Sequence, residues 1–242
     1  MDLIAFVAAT AAVIVGAIVQ AMTGVGGGFL IVPLLAIIDL SLVPSPLIFA
    51  SLSLSLMMAI RERTSIDWQH IPLILAGMLP GAIIGAYFIS RMPNENLGLL
   101  FGSVILLGVL ITVIGRPVPL SPYSAVTTGA VCGVMGASSG IGAPMLALLY
   151  QHERGPRLRG TLAVIYITAS LLILAVLAGF NQFWTQDIIT GTYLIPGFII
   201  GYLVAGRFTE RIDHGKSRIA VLIVSAAAAG ALIWRSFPVE WL

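Results

Sequence analysis

Residues 20–28 read Gln-Ala-Met-Thr-Gly-Val-Gly-Gly-Gly, and residues 136–144 read Gly-Ala-Ser-Ser-Gly-Ile-Gly-Ala-Pro. Each stretch breaks a long apolar run with glycines, which cost a helix about 1 kcal/mol apiece relative to alanine. A single shift of 116 residues superposes them without a gap, placing Thr23-Gly24-Val25-Gly26 on Ser139-Gly140-Ile141-Gly142. The same shift carries Trp68 onto Trp184, Pro80-Gly81 onto Pro196-Gly197, Ile83-Ile84-Gly85 onto Ile199-Ile200-Gly201, and Arg91 onto Arg207. From Trp68 to Arg91, 7 of 24 columns are identical. General likeness among apolar helices accounts for matched Ile and Gly, but less easily for two Trp and two Arg at one offset. The chain therefore reads as a duplication, with one repeat over 1–117 and the other over 118–242.

Composition sets the solvent. Hydrophobic residues make up 59% of the 242, charged residues 9%, and mean hydropathy is +1.06. Soluble proteins carry about 25% charged residues, so this chain cannot bury its apolar surface and still cover its outside. It reads as one integral membrane domain, an all-α polytopic protein embedded in a lipid bilayer. The same balance excludes a disordered chain and a nucleic-acid binder, which needs a basic face. One cysteine, Cys132, rules out an internal disulfide or a cysteine-ligated metal cluster.

The apolar runs are 3–22, 29–43, 45–60, 71–90, 97–115, 123–137, 143–150, 161–180, 187–206 and 217–234, giving 8–10 helical segments. A full crossing takes about 20 residues. Five runs approach that length, 29–43 is marginal and 143–150 is too short to cross alone. No Lys or Arg precedes the first run, so it is expected to be a retained segment and not a signal peptide.

When each run changes sides, the loops 61–70, 116–122, 151–160 and 207–216, with Arg218, hold ten of the twelve basic residues. Only Arg91 and Arg235 fall on the other side. The positive-inside rule assigns the rich side to the cytoplasm, with both termini outside. Five segments per half is an odd number, so the halves are expected to be inverted. Inverted repeats whose matched segments are discontinuous mark a transporter and its binding site.

The two breaks have the chemistry of an anion site. Glycines let a ligand approach backbone N–H groups, and a helix begun at about Phe29 turns its free N–H groups and positive dipole end toward the first break. Pro144 suits the first turn of the helix after the second. The candidate site is Gln20, Thr23, Gly24, Gly26, Gly27 and Gly28 with Ser138, Ser139, Gly140 and Gly142, holding a small anion near the midplane. The competing use of glycine in membrane helices is close packing, and Gly77, Gly81, Gly85, Gly197 and Gly201 are assigned to it. Asp39, Asp187, Arg61 and Arg91 sit at run ends, where anchoring is their default role. The loop 151–159 with its three arginines follows the second break, and it either draws anions in or carries ordinary positive-inside charge.

No paired carboxylates or metal-ligand spacings occur in the apolar runs, so neither a cofactor nor a metal is expected. Gly136-x-Ser138-x-Gly140 matches the spacing of a hydrolase nucleophile elbow, but that elbow follows a strand. An intramembrane serine hydrolase using Ser138 is the enzyme alternative, and an anion channel is the other.

These residues resemble the sulfite exporter TauE/SafE family (TSUP, 4-toluene sulfonate uptake permease-like). Gly24-Val-Gly-Gly-Gly-Phe-Leu-Ile-Val-Pro33 is similar to the family's first-repeat signature. Gly140-Ile-Gly-Ala-Pro-Met, followed by Tyr150-Gln-His-Glu and Arg159-Gly-Thr-Leu, is similar to its second. The second repeat often reads Gly-Gly-Pro where this chain has Gly142-Ala143-Pro144. The resemblance implies a secondary transporter, not an enzyme, that moves sulfite, an organosulfonate such as sulfoacetate, or a C2 carboxylate by alternating access. The direction and the coupling ion, proton or sodium, stay open.

Overall fold

Long apolar segments with no water to satisfy their backbone must close their hydrogen bonds internally, and in this chain they do so as helices. The structure, a computed structural model, describes residues 3–115, 118–153, 155–207 and 214–236, with the backbone alone described for 94, 143 and 214–220. Ten α-helices and three short 3-10 turns account for the regular structure of the described residues, and no strand occurs among them. The helices are α1 Leu3–Thr23, α2 Gly27–Ile38, α3 Ser45–Arg61, α4 Ile71–Arg91, α5 Leu97–Ile114, α6 Pro122–Ser139, α7 Ala143–Leu149, α8 Gly155–Gly179, α9 Thr185–Gly206 and α10 His214–Ser236. Five of them, α1, α4, α5, α8 and α9, are long and apolar enough to cross a membrane. Arg116, Arg154, Arg211 and the C-terminal residues from 237 lie outside the described residues.

Local chemistry sets the boundaries. Proline in the first turn opens α3, α4, α6 and α7, where its missing N–H costs nothing. Ser121 caps α6, its side chain accepting from the Ser124 backbone N–H. The Asp187 carboxylate accepts from the Trp184 backbone N–H at 2.7 Å at the start of α9. Two boundaries differ from the sequence expectation. The run 29–43 is helical only to Ile38, because Asp39 turns the chain by accepting from both the N–H (2.9 Å) and the hydroxyl (2.7 Å) of Ser41. The helix after the first break starts at Gly27 and not at Phe29, because Gly26 takes the left-handed conformation (φ 94°) that a side chain rarely tolerates.

The shift of 116 residues carries α1–α5 onto α6–α10 in order, and the first residue of α2 falls on the first residue of α7. Packing follows the same exchange. One band of helices runs α1, α9, α3, α8, α4, α6, an order that exchanging the halves reverses onto itself. On the other side α5 and α10 pack together, α10 also against α2 and α5 against α7.

Side-chain contacts give the helix directions. Glycines 77, 81 and 85 of α4 meet the carbonyls of Val126, Ala130 and Val134 in turn, so α4 and α6 run parallel. Phe6 lies edge-on to Tyr193 (6.5 Å between centroids), Gly197 meets Val13 and Gly201 meets Ala17, so α1 and α9 also run parallel. Arg159, in the first turn of α8, reaches Glu62 beyond the end of α3, so α3 and its counterpart α8 run antiparallel. Ser45 donates to the Gln182 carbonyl at the other end (2.7 Å). These directions gather the described parts of the four basic loops at one end of the bundle. Arg235, at the opposite end, donates to the Ile37 carbonyl (2.8 Å).

Candidate functional site

The site follows from how the two breaks are held. Gly140 ends α6 in the left-handed conformation (φ 78°), its N–H donating to the Gly136 carbonyl at 2.8 Å. The chain then turns at Gly142 into α7, which has only seven residues, too few for a strong macrodipole. α2 has twelve residues, or about 18 Å at 1.5 Å per residue. It starts beside α1, with Gly27 against Gln20 and Gly16, and it ends near Arg235.

Between these breaks lies a cavity of about 90 Å³. That is room for several waters, or for one anion of a few heavy atoms. Of the sequence candidates, Gln20, Gly28, Gly140 and Gly142 line it. A Cβ built on Gly28 meets nothing within 4 Å, so this face of the α2 start opens onto space.

The other candidates stand off the cavity. Gly24 packs against Arg159 and Leu158, and its carbonyl accepts from the Tyr166 hydroxyl at 3.3 Å. Gly26 lies near Val19 and Val221. The Thr23 hydroxyl oxygen is 2.8 Å from the Val19 carbonyl and 2.5 Å from the Val25 carbonyl, and it accepts from the Val25 N–H at 3.2 Å. Ser138 and Ser139 are buried and both donate to the Met135 carbonyl, at 3.3 and 2.8 Å. These three hydroxyls bond their own chain.

The breaks are also staggered in depth. Gly24 sits by Arg159 at the end where α3 finishes, whereas Gly140 packs against Pro44 and Ile48 where α3 begins. From Ile48 to the end of α3 at Arg61 is about 20 Å of helix rise. The cavity therefore takes Gly28 from one break and Gly140 with Gly142 from the other, while their outer residues point to opposite ends.

Sequence reasoning missed the cavity's other polar side chains, Ser51 and Ser55 on α3 and Tyr166 and Ser170 on α8. A signal was present, since Ser51 and Ser55 share a helix face at i, i+4 within a largely apolar run. The repeat hid it, because the shift places Ser55 on Leu171 and Tyr166 on Ala50. Ser51 donates to the Ile48 carbonyl (2.9 Å). Ser55 is 1% exposed, and its hydroxyl has no partner among the described residues.

At the basic end, Glu62 accepts from Arg159 Nε (2.9 Å) and Arg61 Nε (3.0 Å). Arg61 also donates to the Ala21 carbonyl (3.0 Å) and lies over the Tyr202 ring (5.1 Å). This network ties α1, α3, α8 and α9 together beside the first break. Arg61 is thus a structural tie, more than the anchor its position at a run end suggests. Beside it, the Arg157 guanidinium donates to Asp67 (3.0 Å), which holds that carboxyl below its ordinary range. The pair is therefore retained through neutral pH and lost only as acid protonates Asp67.

A helical bundle with five long apolar helices and a small cavity between two glycine breaks defines a polytopic membrane protein with a candidate central site. The chain belongs to the sulfite exporter TauE/SafE family, whose profile matches residues 8–232. It is similar to the probable sulfite/organosulfonate exporter TauE of Cupriavidus necator, with 26% identity over 162 residues. That match covers 63% of this chain and 63% of the relative's length. No solved structure matches.

Proposed function

We propose that this protein is a secondary transporter of a small anion, namely sulfite, an organosulfonate such as sulfoacetate, or a C2 carboxylate. The observation that carries the reading is the cavity between α2, α3, α6, α7 and α8, onto which Gly28 of one break and Gly140 and Gly142 of the other all open. The start of α2 offers backbone N–H groups and the positive end of a twelve-residue helix, joined by Gln20 and the α3 serines. The repeats 1–117 and 118–242 are inverted and rock about this site to give alternating access. The antiparallel course of α3 and α8, and a packing order unchanged by exchanging the halves, support that motion. The basic end faces the cytoplasm of the cell membrane and both termini face outward, in line with the charge asymmetry of the loops. The substrate leaves chemically unchanged, so the protein is not an enzyme. Ser138 supports that reading, since it lies in a helix with its hydroxyl turned to Met135.

The test is counterflow of labelled sulfite in liposomes holding the purified protein, with proton and sodium gradients imposed in turn to find the coupling ion. Saturable uptake accelerated by internal unlabelled sulfite is expected. Flux that neither saturates nor shows counterflow identifies a channel. No flux of sulfite, sulfoacetate or acetate overturns the reading.

A further inference from the structure

Among the described residues that line the cavity there is no Asp, Glu, Lys, Arg or His. Its polar groups are neutral: the Gln20 carboxamide, the hydroxyls of Ser51, Ser55, Ser170 and Tyr166, and the backbone at Gly28. Arg159, which lies against Gly24, has its guanidinium directed to Glu62 and so is spent outside the cavity. Within this neutral set Ser55 stands apart. Ser51 and Tyr166 already donate to main-chain carbonyls. Ser55 is buried, lines the cavity, and has no partner among the described residues. A buried hydroxyl left unmatched destabilises the fold, and a ligand in the cavity removes that cost.

We propose that the cavity selects a singly charged oxyanion and that Ser55 Oγ is a direct donor to it. This inference rests on the transport reading above and narrows its substrate class. The physical reason is desolvation. The cost of moving an ion out of water grows with the square of its charge, so a dianion of similar size pays about four times as much as a monoanion. Neutral donors and one helix start offset a single negative charge, and no described lining residue supplies a cation for a second. For sulfite the bound species is hydrogensulfite. Among organosulfonates the site favours those whose sulfonate is the lone charge, and it disfavours sulfoacetate, which carries two.

The experiment uses purified full-length protein and two probes of fixed charge, sodium methanesulfonate and sodium sulfate, titrated at matched ionic strength against the thermal unfolding midpoint. Methanesulfonate is expected to raise the midpoint saturably, and sulfate to need at least about a tenfold higher concentration. Ser55→Ala is expected to weaken methanesulfonate binding about tenfold or more while leaving the ligand-free midpoint level or higher, because the hydroxyl removed has no bond to lose. Ser55→Thr, which keeps the donor, is expected to retain binding. Equal stabilisation by sulfate overturns the charge selection. Unchanged methanesulfonate affinity in Ser55→Ala overturns the role of Ser55, and so does lost affinity in Ser55→Thr protein that keeps its midpoint. Sulfite counterflow without methanesulfonate binding overturns this inference and leaves the transport reading standing, whereas the absence of both overturns the two together.

Discussion

The seam between α4 and α6 and the cavity beside α2 both carry glycines, and they use them in opposite ways. Along the seam, a Cβ on Gly77 or Gly81 runs into the main-chain carbonyl of Val126 or Ala130, and one on Gly129 into that of Ile74. The two backbones are in contact, and glycine is there because nothing larger fits. At Gly28 a Cβ meets nothing within 4 Å. A glycine motif in an apolar helix is therefore not one signal but two, and the difference lies in whether a neighbouring backbone fills the space that the missing side chain leaves.

The largest expected effect that sharpens this contrast is at the seam. Gly81→Ala forces α4 and α6 apart against backbone atoms that cannot rotate away, at a cost of about 1–3 kcal/mol. Thermal unfolding of the purified variant should show the loss, while sulfite counterflow per folded molecule stays near that of the parent. A variant as stable as the parent breaks the contrast at its closed end.

Gly28→Ala probes the open end. The methyl enters free space in the first turn of α2. Stability should hold or rise by about 0.5–1 kcal/mol, because alanine is the better helix former. Transport should fall, because the methyl takes room from a cavity of about 90 Å³ beside the proposed donors. Full counterflow in this variant moves the site off α2.

The smallest effect on binding is expected at Thr23 and Ser139, which the shift of 116 residues superposes. Both hydroxyls bond their own chain, to Val19 and Val25 or to Met135. Thr23→Val and Ser139→Ala should leave anion affinity unchanged and lower stability by about 1 kcal/mol each, the usual worth of such a bond. A drop in affinity of tenfold or more in well-folded Thr23→Val protein puts that hydroxyl back in the site.

Much of the architecture was legible before any coordinates. Five long runs became five long helices, and the shift of 116 residues in the sequence also relates the helix boundaries. Apolar run length and repeat period are local properties, and a bilayer leaves a chain few alternatives to helices of about that length. Where one residue's side chain decided a boundary, as Asp39 did by turning onto Ser41, hydropathy alone placed the end too late.

The sequence by itself determined that this is a helical membrane protein, where its two glycine breaks fall, that a shift of 116 residues brings matching residues together, and which family it resembles. The first three follow from composition, periodicity and spacing along one chain, and the resemblance is carried by the motifs at 24–33 and 140–162. Only the tertiary structure decided which side of each break faces open space. It turned the hydroxyls of Thr23, Ser138 and Ser139 onto their own backbone, set the breaks at staggered depths, and brought Ser55 to the cavity with its hydroxyl unpartnered. The physical reason is that an empty volume belongs to no residue. It is bounded by segments far apart in the chain, from α1 to α9, and their packing alone determines which polar groups are left without a partner.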